Sequence, residues 1–403
     1  MNSYYIELNN NISLASIWIE GGIYEEKEEK KGLNQILLSL LTRGCKDYDK
    51  YSFSDFLDSY GAELQYEATD DGIFICLKSL NQYFNKIYPL LNLLLEEPNL
   101  YEEEFLTCKK YAINNVAKAK ENQFNITFDN WNKLIYKNQP YEYNLNGSVE
   151  SINLINYEDI LNEYKALKKR DKFSLCNIKK PKSLNINDLK ITNKNKKIIN
   201  LKTNKLDNIN NFTQHFSKSK QVIIMLGSKT CTTCHDDNLS LKILESYLSY
   251  GMSSLLFRTF RENNGLTYDS GVFYPTRKFS APFLIYLSVS DSNAILAFKL
   301  IISLWDDLIT KLISCDELSL AKVKLKSSFL HNNQNIEDII YRKVRLISLK
   351  MDPFYDEKSI KIIERITAEE ILGVSKKYFE HPSISISGSE NICKRIKEIW
   401  KKN

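Results

Sequence analysis

The chain has 403 residues and a mass of 47.0 kDa, enough for two or three domains with hydrophobic cores. Its composition, 43% hydrophobic and 26% charged, excludes a disordered or fibrous protein, and a net charge of +5 is small for this length. No apolar run is long enough to cross a bilayer, and the N-terminus lacks the basic and apolar regions of a secretion signal. We therefore expect a cytoplasmic protein with no membrane partner, whose eight cysteines are reduced thiols.

The first half of the sequence alternates short strands with longer helices. Residues 13–22 alternate apolar and polar side chains and end at a glycine pair, which predicts a strand followed by a turn. Residues 33–44 are apolar almost all round, which predicts a buried helix that ends at Gly44. An amphipathic helix that ends at Gly61, a strand and two more helices complete this half.

The same order of elements recurs in the second half. A strand at 221–227 is followed by a helix that ends at Gly251, a second helix that ends at Gly265, and another strand. The sequence therefore predicts an α+β protein of two similar domains, each a mainly antiparallel sheet with helices packed on one face.

The predicted domains are 1–180 and 216–403, joined by a linker region at 181–215. Basic residues cluster at 179–205, but Asn and Ile interleave with them and aromatic residues for base stacking are scarce. This pattern favours a solvated linker or edge strand, and we expect no nucleic-acid partner.

The segment GLNQILLSLLTRGC at 32–45 resembles the zinc motif of the pitrilysin/insulinase family of peptidases. In that family the motif G-x-x-H-x-x-E-H lies on a helix, and its two histidines, one helical turn apart, bind Zn²⁺. The glutamate between them acts as general base on the metal-bound water, and a further glutamate on a later helix completes the ligand set.

The resemblance places other residues at every working position of the motif. Gln35 falls at the first histidine, Leu38 at the glutamate and Ser39 at the second histidine. Residues 111–120, where the third ligand should lie, contain no carboxylate, and all four histidines lie in the second half of the chain. We therefore expect neither a metal site nor a catalytic residue in this chain, and zinc is expected in a partner subunit.

A second segment, LLFRTFRENNGLTYDSGVF at 255–273, resembles the C-terminal signature of the same family. The resemblance assigns substrate binding to Arg261 and Tyr268, whose side chains can donate hydrogen bonds to a peptide carbonyl or to the oxyanion that it becomes. The alternative is that Arg261 caps a helix and Tyr268 packs in a strand. Pro140, Tyr141 and Gly147 also match the family's pattern.

The motif CTTCH at 231–235 has other interpretations. Its spacing fits haem attachment, and Cys231 and Cys234 would suit a redox pair or half of a zinc site, with His235 adjacent. Haem attachment needs export, and a structural zinc site needs a second pair of ligands, which is not apparent nearby. The motif is more typical of a variable turn.

The resemblance predicts the non-catalytic subunit of a heterodimeric zinc metallopeptidase, forming half of a clamshell. Such a chain would bind peptide or unfolded protein substrates and supply Arg261 and Tyr268 to the active site of a zinc-bearing partner of the same family. The alternative is a structural or scaffold protein of the same fold with no proteolytic role.

Overall fold

The computed structural model describes residues 2–6, 11–177, 211–331 and 334–402. The predicted linker at 181–215 lies outside the described residues except for 211–215. The chain forms two compact units, each assembled from three stretches of sequence. The first unit takes Met1–Ala119, Gln139–Thr192 and Asn335–Lys350, and the second unit takes Lys120–Asn138, Asn193–Gln334 and Met351–Asn403.

The described residues contain ten strands, five in each unit. Those of the first unit are β1 (Asn2–Tyr5), β2 (Ile12–Glu20), β3 (Glu63–Ala68), β4 (Gly72–Leu80) and β5 (Lys172–Cys176). Those of the second unit are β6 (Phe212–Phe216), β7 (Gln221–Lys229), β8 (Thr267–Phe273), β9 (Pro282–Ser290) and β10 (Ser383–Gly388).

Fourteen α-helices lie within the described residues. In chain order they are α1 (Leu33–Leu41), α2 (Lys50–Ser59), α3 (Phe84–Glu96), α4 (Glu102–Ala119), α5 (Gln123–Ile135), α6 (Val149–Leu154), α7 (Tyr157–Lys169), α8 (Asn238–Ser249), α9 (Ala294–Thr310), α10 (Cys315–His331), α11 (Ile336–Ser348), α12 (Tyr355–Arg365), α13 (Ala368–Phe379) and α14 (Glu390–Trp400). Within the described ranges, no helix combines the length and apolarity that a bilayer crossing requires.

The two sheets share one topology. The first has the strand order β1-β5-β2-β4-β3 and the second has the order β6-β10-β7-β9-β8. In each sheet the edge strand, β1 or β6, runs parallel to its neighbour, and the other three pairings are antiparallel. The predicted α+β class with mainly antiparallel sheets is confirmed, and the recurrence of elements seen in the sequence corresponds to a recurrence of topology.

The larger core of the first unit lies on one face of its sheet. Successive residues of a strand point to opposite faces, so Ala15, Ile17 and Ile19 of β2 all face this core. Helix α1 is buried among them, as its apolar residues predicted, with seven of its nine residues buried.

The opposite face of the first sheet carries α11, a helix from the second half of the sequence. Ile340 and Val344 pack there against Leu14 and Trp18 of β2. The second sheet also has a helix on its opposite face, α5, whose Trp131 indole N–H donates to the Ser383 carbonyl at 3.0 Å. These two helices are an addition to the predicted arrangement, which placed helices on one face only.

Candidate functional site

The N-terminus of α1 is held by a buried carboxylate. The two oxygens of Glu26 accept hydrogen bonds from the backbone N–H groups of Gly32, at 2.8 Å, and Asn34, at 2.6 Å. A carboxylate at this position satisfies helix donors that would otherwise lack partners. Burial nevertheless raises the pKa of Glu26 to about 7, because these hydrogen bonds and the nearby Lys31 only partly offset the loss of hydration.

The chain at Gly147 passes very close to Lys31, just before α1 begins. Gly147 has φ +72°, and a Cβ there would lie 2.1 Å from the carbonyl oxygen of Lys31. Tyr141, which also matches the family pattern, has φ +77°, and its hydroxyl donates to Asp71 Oδ1 at 2.6 Å. Gly147 therefore allows close packing beside the start of α1, and Tyr141 ties its segment to the turn between β3 and β4.

Helix α1 places the three residues of the degenerate motif as the sequence predicted, but the environment is not that of a metal site. Leu38 is 1% exposed and belongs to the hydrophobic core, while Gln35 is half-buried. The half-buried Ser39 donates its hydroxyl to the thiol of Cys108 on α4 at 3.4 Å. A serine hydroxyl beside a single cysteine, with an aliphatic side chain one residue away, does not form the donor set that Zn²⁺ requires.

The described part of the chain contains no group of three or more His, Cys, Asp or Glu side chains placed to hold a metal ion. Cys108 was not singled out from the sequence, where it is one of eight scattered cysteines. Only the packing of α4 against α1 brings it to Ser39.

The CTTCH motif lies in the loop between β7 and α8. Cys231 is buried with its sulfur 3.8 Å from the hydroxyl of Tyr274, and burial raises the pKa of its thiol. Cys234 is exposed, and no disulfide joins the two. His235 Nδ1 accepts a hydrogen bond from the backbone N–H of Asp237, so the imidazole is engaged in the local turn.

The substrate-binding candidates flank one turn of the second unit. Arg261 lies in a π-helical segment, Phe257–Glu262, and its exposed guanidinium stacks over the ring of Phe257 at 5.1 Å. Gly265 has φ +59° and donates its backbone N–H to the Arg261 carbonyl at 3.0 Å, which ends the segment as predicted.

Tyr268 lies in β8, at the point where the pairing of β8 with β9 shifts register between Thr267 and Asp269. Short π-helical segments and β-bulges are both frequent at functional sites. The sequence patterns predicted a helix and a strand here but neither irregularity.

Comparison with known proteins gives two consecutive matches to family models. Residues 5–148 match the model described as insulinase (peptidase family M16), and residues 158–325 match the model described as the peptidase M16 inactive domain. The chain belongs to the M16 (insulinase) family of peptidases.

Relatives of this M16 chain span most of its length at low identity. An uncharacterized zinc protease of Rickettsia felis is 21% identical over 393 residues, covering 94% of this chain and 92% of that protein. The uncharacterized zinc protease YmxG of Bacillus subtilis is 22% identical over 296 residues, 71% of each chain.

Solved structures share the fold. A protease from Helicobacter pylori superposes with a TM-score of 0.82 at 16% identity, covering 96% of both chains. A peptidase M16 inactive domain from Pseudomonas fluorescens gives a TM-score of 0.81 at 16% identity, covering 96% of this chain and 95% of the other. The fold of this M16 chain is therefore that of the family's two-domain proteins.

Proposed function

We propose that this chain is the non-catalytic subunit of a heterodimeric zinc metallopeptidase. The observation that supports the proposal best is Leu38, which stands where an active M16 member has its general base. It is 1% exposed within the core of the first unit. An aliphatic side chain cannot take a proton from water, and a buried one leaves no room for a metal-bound nucleophile.

The second unit keeps the residues that a partner's active site could use. Arg261 is exposed, and its stacking over the ring of Phe257 restrains the guanidinium. A restrained cation loses little conformational freedom when it binds a carbonyl or an oxyanion. We assign Arg261 and Tyr268 to the binding of a peptide substrate in the active site of a zinc-bearing partner from the same family.

The test is to isolate the chain together with its partner from the source cells and to measure the peptidase activity of the complex. The tagged chain would be used to capture its partner, and a fluorogenic peptide would be supplied with and without 1,10-phenanthroline. We expect no cleavage by the chain alone and chelator-sensitive cleavage by the complex. Isolation only in a membrane complex that lacks a zinc-bearing subunit would support the scaffold alternative instead.

Substitutions then separate substrate binding from assembly. Arg261→Ala and Tyr268→Phe should each lower turnover, by about 10²-fold if they contact the oxyanion, with the complex intact by size-exclusion chromatography. Arg395→Ala on α14 is the matched control, because Arg395 is also exposed in the second unit but lies outside the family signature. A complex carrying both active-site substitutions that stays fully active would show the assignment to be wrong.

A further inference from the structure

Helix α10 of the second unit carries apolar residues on its outer face as well as on the face that packs inward. Leu318 and Leu325 lie in the core of the unit. On the outer face Leu320 is 43% exposed, Val323 is 55% exposed and Leu330 is 58% exposed. A helix that is apolar on two faces is normally buried on both, so the outer face of α10 has the composition of a covered surface.

These exposed residues lie on one continuous stripe of the helix. The stripe occupies successive a and d positions of a heptad, and its residues are Leu320, Val323, Ser327 and Leu330. At a rise of 1.5 Å per residue, the stripe extends about 15 Å along α10. Apolar residues scattered singly over a surface need no explanation, but heptad spacing is the pattern by which one helix packs against another.

Helix α14 of the same unit has the usual composition of a solvent-exposed helix. Its inward residues Ile392 and Ile396 lie in the core. Its exposed residues from 390 to 398 are all polar or charged, and they are Glu390, Asn391, Lys394, Arg395 and Glu398. The apolar stripe of α10 is therefore not a general property of the surface helices in this unit.

The positions that flank the stripe are basic. The heptad positions e and g from 319 to 331 hold no acidic residue, and they are Ser319, Lys324, Lys326 and His331. Lys326 forms an ion pair with Glu364 on α12 at 3.1 Å. Lys324 has no acidic partner within the described ranges, and burial together with the nearby Arg258 lowers its pKa. A carboxylate opposite Lys324 would therefore stabilise a helix packed on the stripe.

The same charges disfavour the pairing of α10 with α10 of a second copy. In a parallel helix pair the g positions of one helix face the e positions of the other, and in an antiparallel pair e faces e and g faces g. Either orientation would bring Lys324 close to a lysine of the other copy. Like charges at these positions are destabilising, so the occupant that fits is a helix with acidic flanks.

We propose that the stripe of α10 docks an amphipathic helix of a partner protein, whose apolar residues cover Leu320, Val323 and Leu330 and whose acidic side chain lies opposite Lys324. A helix of about three turns covers a stripe of this length. The proposal goes beyond the peptidase function, because the stripe contains neither residue of the proposed substrate-binding pair.

The test uses two labelled peptides of three heptads, both with leucine at a and d. One peptide has glutamate at e and g, and the other has lysine there. Each is titrated with the full chain and followed by fluorescence anisotropy. We expect saturable binding of the acidic peptide, weakened by added salt, and at least about ten-fold weaker binding of the basic peptide.

Three variants locate the site. Val323→Asp places a charge at the centre of the stripe and should weaken the acidic peptide at least about ten-fold. Lys324→Glu should weaken the acidic peptide about five-fold and strengthen binding of the basic peptide. Leu296→Asp is the matched control, because Leu296 on α9 is 48% exposed and lies outside the stripe, and it should change neither affinity.

The first variant should remain folded, because Val323 is exposed and valine and aspartate have similar helix propensities. Circular dichroism on heating checks this. The proposal is wrong if the acidic peptide does not bind saturably, if both peptides bind equally well, or if folded Val323→Asp binds the acidic peptide as the wild type does. Self-association of the wild-type chain in sedimentation velocity that is lost in Val323→Asp would assign the stripe to a second copy and overturn the proposal. None of these outcomes depends on peptidase activity.

Discussion

Breaking the ion pair between Asp71 and Arg345 by removing one partner should destabilise the first unit far more than breaking other ion pairs on the same sheet. The guanidinium of Arg345 on α11 lies 2.7 Å from Asp71 Oδ2, with side chains 8% and 2% exposed. Arg345 also stacks over the Trp18 ring at 5.0 Å, and its Nη1 donates to the Thr69 hydroxyl at 3.4 Å. We expect Arg345→Met to keep the packing on Trp18 and remove the charge.

Removing one partner of a buried ion pair costs about 3–5 kcal/mol, because the other charge stays buried without its counterion. Arg345→Met should therefore lower the melting temperature of the first unit by about 10 °C. Arg345→Met with Asp71→Asn should recover much of this loss, because neither charge of the pair is then left buried without its counterion. Lys78→Met is the control, since Lys78 also pairs with α11, through Glu337 at 2.7 Å, but with side chains 25% and 20% exposed. It should cost about 1 kcal/mol or less.

Hydrogen exchange followed by mass spectrometry can assign the effect to one unit. In Arg345→Met, amides of β2 and β4 should exchange about 10²- to 10³-fold faster, while those of β7 and β9 keep their wild-type rates. The reasoning would be refuted if Arg345→Met lowered the free energy of unfolding no more than Lys78→Met does. It would also be refuted if amide exchange became faster by the same factor in both sheets.

Three further outcomes are expected. Because the pKa of Glu26 is raised from 4.5 to about 7 in the folded protein, ionisation of this buried carboxyl destabilises the fold. The free energy of unfolding should therefore fall as the pH rises from about 4.5 to about 7, and urea titrations should show this slope reduced in Glu26→Gln. Iodoacetamide should label exposed Cys315 quickly, whereas Cys176, which is buried and has a pKa raised to about 12, should react only after denaturation, as peptide mapping would show. Elemental analysis of the purified chain should find no stoichiometric zinc; zinc bound one-to-one and lost in Cys231→Ser would overturn the interpretation of the CTTCH motif as a turn.

The sequence predicted the features that depend on local pattern. The alternation in 13–22 corresponds to β2, and the apolar run at 33–44 corresponds to the buried helix α1. The glycines at 61 and 265 adopt positive φ at the ends that the sequence assigned to them. The prediction that Gln35, Leu38 and Ser39 do not form a zinc site rests on their residue types alone. None of them can replace a histidine as a zinc ligand or a glutamate as a general base.

Features that depend on distant pairing could not be predicted. The amphipathic pattern of α11 shows that one face is buried, but it does not show that β2, more than 300 positions earlier in the chain, covers that face. The dipeptide Asp71-Gly72 is typical of a turn, but the sequence does not show that Asp71 pairs with Arg345, because this pairing depends on tertiary packing. The π-helical segment at Phe257–Glu262 has the apolar pattern of an ordinary helix, so periodicity did not distinguish the two.

The placement of α11 also constrains how the protein is made. During synthesis the first unit cannot be completed until residue 348 has left the ribosome, after most of the second unit has emerged. Until then the face of the first sheet that includes Leu14 and Trp18 lacks its cover, and it is a surface that a chaperone could shield. A nascent chain released near residue 180 would keep all five strands of that sheet but would expose this face to aggregation.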